Sequence, residues 1–170
     1  MRFASVLIVL LVSTVAVLAQ DNAPAARYTI KQESPSTGSN IPRNDVTSGA
    51  IPINLRYSEL TREQQGILKS RYEAMPDSDE PPFPVDGLEP LLAAMSKGAR
   101  RFQPRGAMEI HVAIDANGVA KAAQVFQSPD PEMAKFAATV LMLTQYKPAL
   151  CAGTPCAMSY PFKMTFSVRR

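Results

Sequence analysis

Met108, Ile110, Val112 and Ile114 alternate with Glu109, His111, Ala113 and Asp115. That period of two puts four apolar side chains on one face of a strand. Ala116-Asn117-Gly118 follows, and Asn-Gly tolerates the positive φ angles of a tight hairpin, so the chain should turn back at once. The return strand, Val119 to Gln127, alternates imperfectly. Ala120, Ala123 and Val125 share a face only if a bulge falls near Lys121-Ala122.

The period then changes. Asp130 suits an N-cap and Pro131 the first helical position, where no backbone donor is needed. Met133, Phe136, Ala137, Val140, Leu141 and Thr144 recur at intervals of three and four, one stripe for packing on a sheet. Tyr146-Lys147-Pro148 ends the helix. Met158, Tyr160, Phe162, Met164, Phe166 and Val168 then alternate with Ser159, Pro161, Lys163, Thr165 and Ser167, which predicts a last strand. Pro161 has no N–H to donate, so at least one side of this strand should be an unpaired edge.

Two strands, a helix and a third strand make a split βαβ unit, and a right-handed crossover lays the third strand beside the first. The expected class is α+β. It is a two-layer unit with a three-stranded antiparallel sheet in the order 2-1-3, packed with one helix and preceded by two short helices.

Upstream, Thr61 with Gln64 forms a capping-box signature and Glu63 complements the helix dipole. Leu60, Gln64, Ile67, Leu68, Tyr72 and Met75 give a partial stripe, ended by the acidic, proline-broken run from Pro76 to Pro84, which reads as a solvated loop. Pro90 suits the first turn of a second helix, Leu88, Leu91, Leu92 and Met95 supply its apolar face, and Gly98 should close it. Such stripes should dock on the hairpin–helix core. Before them, Asp21 to Ser48 is rich in Pro, Ser, Thr, Asn and Gly and has too little apolar surface to offset ordering. At the start, Arg2 precedes an apolar run broken only by Ser13 and Thr14 and ending at Val17-Leu18-Ala19, in the form of a secretory signal peptide. An uncleaved inner-membrane anchor over residues 3–19 is the alternative. The expected organisation is a signal peptide at 1–19, a flexible tether at 20–56, a docking helical segment at 57–105 and the core domain at 106–170.

Gly106, Asn117-Gly118, Ser128, Tyr146-Lys147-Pro148-Ala149, Gly153-Thr154-Pro155 and the run from Pro161-Phe162 to Phe166 stand in the order and spacing of a known domain. Over about 65 of its 170 residues the chain resembles the TonB C-terminal domain. The resemblance implies a periplasmic protein-binding domain that pairs an incoming peptide strand along an open sheet edge, with the periplasmic tail of an outer-membrane transporter or another envelope protein as partner. On that reading the partner-binding strand is Ser159, Tyr160, Pro161, Phe162, Lys163, Met164, Thr165 and Phe166, and the resemblance implies a link to transmembrane transport. Transporter-coupling members carry a Gln-Pro segment and a Tyr-Pro pair ahead of the first strand. Here the corresponding positions are Leu92-Ala93 and Met95-Ser96, so that part of the pattern is missing.

Export, as implied by the N-terminal segment, gives the two cysteines a meaning. Cys151 and Cys156 flank Ala-Gly-Thr-Pro, and in an oxidising compartment a disulfide closing that loop is expected. Two cysteines are too few for a metal, and Cys-x4-Cys is not the Cys-x2-Cys of redox enzymes. Without Arg2 the chain carries 17 basic against 15 acidic residues, too even for a nucleic-acid footprint. Arg100-Arg101 with Arg105 reads as a solvated helix end. Asp77, Asp79 and Glu80 lack the spacing of calcium loops.

Catalytic signatures are missing from the sequence. His111 is the one histidine and no nucleophile motif accompanies it. The expectation is therefore no enzyme, no cofactor and no metal site, in a periplasmic or secreted protein. The partner is another protein or, alternatively, a second copy in a self-paired homodimer with a scaffold role. Membrane contact is expected only if the N-terminal segment stays uncleaved.

Overall fold

The computed structural model describes residues 50–167, so the signal-peptide reading and most of the tether lie outside the described residues. Among the described residues, three helices and seven strands follow a short 3-10 turn at Tyr57–Glu59. They are α1 (Arg62–Lys69), β1 (Phe83–Pro84), α2 (Glu89–Phe102), β2 (Gly106–Ile114), β3 (Ala120–Gln127), α3 (Pro131–Leu143), β4 (Tyr146–Lys147), β5 (Ala149–Cys151), β6 (Thr154–Cys156) and β7 (Met158–Phe166).

The central sheet is antiparallel in the order β3-β2-β7, the arrangement expected of a split βαβ unit. Its core face is Met108, Ile110, Val112 and Ile114, all buried, with Tyr160 and Phe162 beside them. Met133, Ala137 and Leu141 of α3 and Leu91 and Met95 of α2 complete the same cluster, so α2 docks on the hairpin–helix core as its stripe predicts. The register of β2 against β3 shifts twice. One shift leaves Lys121 unpaired between Ala120 and Ala122, the bulge that the alternation of β3 requires. The other leaves Phe126 unpaired between Val125 and Gln127. Against β7, by contrast, β2 pairs over nine consecutive positions with no shift.

The hairpin between β2 and β3 turns on Asp115. Its carboxylate accepts from the backbone N–H of Asn117 and of Val119, each at 2.9 Å, and pairs with Lys121 at 3.0 Å. Gly118 takes φ +80°, and a Cβ there would collide with the Tyr146 carbonyl. That contact joins the hairpin tip to β4. Asp130 caps α3 through the Met133 N–H at 2.7 Å. Thr61 and Gln64 close the expected capping box on α1, worth about 1 kcal/mol.

Three expectations fail for physical reasons. Gly98 does not close α2, which runs to Phe102 and ends on Gln103 in the left-handed region. Gly98 is instead where α2 crosses α3 closely: a Cβ would stand 2.6 Å from the Phe136 ring. The run ending at Pro84 is not a solvated loop, because Asp79, Pro81, Pro82, Phe83 and Pro84 are all buried. Glu80 and Leu150 exchange both backbone hydrogen bonds at 2.9 Å, and β1 pairs with β4, so this run is stitched along the chain that follows α3. The tether boundary at 56 also moves upstream. Ile51 is buried with Tyr57, Leu60, Leu68 and Phe83, and the Ile53 carbonyl accepts from Leu88 and Glu89 at the start of α2.

Candidate functional site

Ser159 to Phe166, the strand singled out in sequence, is β7 apart from Met158. Among the described residues β7 pairs only with β2, so its other side is a sheet edge. The two halves of that edge differ. Tyr160, Pro161 and Phe162 are buried and Ser159 is half-buried, whereas Lys163 and Thr165 are exposed and Met164 and Phe166 half-buried. The Tyr72 hydroxyl donates to the Ser159 carbonyl at 2.8 Å. Residues two apart on a strand turn their backbone groups to the same side. With β2 on the other side, Ser159, Pro161, Lys163 and Thr165 therefore face the edge. Pro161 there costs the ladder no bond, which accounts for the unbroken register across the His111–Pro161 position. Tyr72 and Pro161 together close the first half, and the free backbone begins at Lys163.

The opposite edge belongs to β3. Lys121, Ala122, Gln124, Val125, Phe126 and Gln127 are exposed, but the two bulges twist that strand, a device that blunts an edge against pairing. The straighter template is the second half of β7.

On the sheet face away from the helices a short polar row crosses the strands. His111 Nε2 lies 2.7 Å from Glu109 Oε1, and Lys163 Nζ lies 3.5 Å from the other oxygen of the same carboxylate. The imidazole stacks on Phe126, ring centroids 4.2 Å apart. No serine, threonine or cysteine hydroxyl or thiol is bonded to this histidine among the described residues. The row ties β2 to β7 and fixes where Lys163 stands. Sequence reading placed Glu109 and His111 on one strand and Lys163 on the last, but not the ion pair between them, which depends on the β2–β7 register. The Glu109–Lys163 register position is the signal that would have found it.

Cys151 and Cys156 form a disulfide across the β5–β6 hairpin, as expected. Asp79 reaches the hairpin from upstream: its carboxylate accepts from the Ala152 N–H at 2.8 Å and from the Ser78 hydroxyl at 3.1 Å. Among the described residues no group of three or more His, Cys, Asp or Glu side chains is placed to hold a metal ion. A second, half-buried polar cluster joins Lys147 to Glu80 at 3.0 Å, with the ammonium 4.7 Å from the centre of the Tyr57 ring. Burial lowers the Lys147 pKa, and Glu80 opposes that shift.

Comparisons of the chain with protein-family models, with curated proteins and with solved structures found no match. Among the described residues no helix is long and apolar enough to cross a membrane.

Proposed function

We propose that this chain is a non-enzymatic, exported protein-binding module of the cell envelope that takes an extended segment of a partner as an added strand along the second half of β7. The observation that carries this reading is the exposed pair Lys163 and Thr165, whose backbone faces away from β2 on a strand with unshifted register, beside an edge half closed by Tyr72 and Pro161. Strand addition draws affinity from main-chain hydrogen bonds and specificity from alternate side chains. The resemblance to the TonB C-terminal domain supports the same mode and a periplasmic setting, and the disulfide suits an oxidising compartment. An outer-membrane transporter tail or another envelope protein fits as partner.

A photo-crosslinking amino acid at Thr165, compared with one at Gln124 on β3, tests this in the envelope of an expressing cell. Crosslinks from Thr165 into an extended segment of another protein are expected. Crosslinks from Gln124 alone overturn the choice of edge. Crosslinks from Thr165 only to Thr165 of a second copy, with a dimer in light scattering, replace the peptide-binding reading with a self-paired scaffold.

A further inference from the structure

The disulfide and the closed half of the β7 edge meet in one place. Among the described residues the buried apolar side chains form three separate clusters. The smallest holds Tyr72, Ala149, Cys151 and Met158, with Met75 and Cys156 packed against them. Both cysteines therefore share a cluster with the ring whose hydroxyl occupies the Ser159 carbonyl at 2.8 Å. Neither cysteine belongs to the other two clusters, and nor does Tyr72. Cys156 also leads through Ala157 alone into Met158, the first residue of β7, so the bridge fixes where that strand begins. Cys151 is buried, whereas Cys156 is half-buried and is the sulfur a reductant reaches.

We propose that the Cys151–Cys156 bridge is the latch of a redox gate on the sheet edge. Bridged, it holds Tyr72 on the Ser159 carbonyl and leaves a partner only the backbone that begins at Lys163. Reduced by a dithiol, it releases Tyr72 and extends the free edge back to Ser159. The proposal rests on the strand-addition reading and adds its regulation. A thiolate of the dithiol attacks the Cys156 sulfur, the S–S bond breaks, and the Cys151 sulfur leaves with the bonding pair and takes a proton. The second thiolate of the reagent then displaces Cys156 from the mixed disulfide, and that sulfur takes a proton too. The dithiol ends as its own disulfide and the bridge as two thiols. Two thiols cannot stay at bonding distance, so a cluster packed around one S–S bond has to spread. Because the other clusters share none of its side chains, the spreading stays local to Tyr72 and the start of β7. Pro161 adds no donor to the lengthened edge, but the Ser159 carbonyl becomes free to accept from a partner.

Displayed random decapeptides selected on the full, oxidised chain supply the probe, and winners are kept that crosslink to a photoreactive residue at Thr165. Their affinity is measured by fluorescence anisotropy before and after reduction with dithiothreitol. One added hydrogen bond corresponds to about fivefold in affinity, so the reduced chain should bind about fivefold tighter or more. Cys151→Ser with Cys156→Ser, which cannot reclose, should bind as the reduced chain does and ignore the reagent. Release of Tyr72 has its own readout, because burial holds its hydroxyl well above the ordinary pKa of 10.0 in the bridged chain. After reduction one tyrosine should ionise near pH 10.0 with the far-ultraviolet circular dichroism intact, and Tyr72→Phe should remove that signal. Equal affinity in the two redox states overturns the gate and leaves strand addition standing. Tighter binding with no tyrosine released overturns Tyr72 as the gate. Reduction that abolishes the circular dichroism spectrum overturns the gate as well, since the bridge then supports the whole fold. Absence of any winner that crosslinks to Thr165 overturns strand addition and this proposal with it.

Discussion

The Tyr72 hydroxyl holds the Ser159 carbonyl at 2.8 Å, across 87 positions of sequence. One side chain from the turn after α1 thereby occupies an acceptor that a sheet edge would otherwise offer to another chain. The same ring packs in a small cluster with Ala149, Cys151 and Met158, so it also anchors the disulfide hairpin to the start of β7. Removing the hydroxyl alone should cost about 1 kcal/mol, the usual net value of one such bond. Tyr72→Phe is therefore expected to lower the urea midpoint with an unchanged m-value. Tyr57 offers the contrast, since its buried hydroxyl has no protein partner among the described residues. Tyr57→Phe should leave the midpoint level or raise it.

Four of the chain's five tyrosines lie among the described residues, and all four are shifted in one direction. Burial raises Tyr57, Tyr72 and Tyr146 well above the ordinary value of 10.0 and pushes Tyr160 up to about 12. A folded-state pKa above the unfolded one means that the folded chain holds protons the unfolded chain releases. The associated stability is complete below pH 10 and is lost as pH rises through the folded values. Ultraviolet titration at 295 nm should show these four ionising only together with loss of the folded circular dichroism spectrum. Ionisation of any of them near pH 10 in a folded chain would contradict the burial described.

Asp115 behaves in the opposite sense. Hydrogen bonds from Val119 and Asn117 and the charge of Lys121 lower its pKa from 3.8. A depressed folded value contributes stability that is present above 3.8 and is lost as pH falls through the folded value. Carboxyl NMR titration should find Asp115 the late titrator in acid, and Asp115→Asn should flatten that part of the pH–stability curve.

The elements that were legible in sequence are those whose signal is local. Met108 to Ile114 and Met158 to Phe166 alternate because one face meets helices, and Asp130-Pro131 caps a helix by chemistry confined to one turn. Even the bulge at Lys121 could be read, because only an extra residue there restores Ala120, Ala123 and Val125 to one face. The failures share a cause. Asp79 to Pro84 has the composition of a loop, and its burial comes from the Glu80–Leu150 bridge and the β1–β4 pair, contacts that no local pattern encodes. Gly98 reads as a helix stop by type, whereas its role is the close approach of Phe136 from another helix. Of the candidate site, the strand and its proline were legible. Its closure by Tyr72 was not, because that bond depends on the tertiary fold.

Gly118 is the position where one methyl group should do most damage. It sits at φ +80°, and the added Cβ would strike backbone, the Tyr146 carbonyl, which cannot swing aside as a side chain can. Gly118→Ala should therefore destabilise by more than the roughly 1 kcal/mol of backbone strain alone, with about 2–4 kcal/mol expected once the clash is included. Gly98→Ala meets the half-buried Phe136 ring, which can move, and the substitution also gains about 1 kcal/mol of helix propensity. Its net cost should be smaller than that of Gly118→Ala in the same denaturation experiment.

The disulfide hairpin should prove a local unit of stability. Cys151 and Cys156 enclose only Ala152 to Pro155, so the loop-closure entropy removed from the unfolded chain is small. Replacing both cysteines with serine should cost about 2 kcal/mol, near the low end for natural bridges. The loss should not spread evenly. Asp79 holds the hairpin turn through Ala152, and Glu80 holds its first strand through Leu150, so loosening the hairpin frees the run that leads to the buried prolines. Hydrogen exchange in the double variant should quicken at Ala152, Leu150 and Glu80 while the amides of β2 keep their protection. Asp79→Ala, with the bridge intact, should reproduce the faster exchange at Ala152. Equal loss of protection across β2 would show instead that the hairpin is continuous with the central sheet in stability, and that the bridge supports the whole fold.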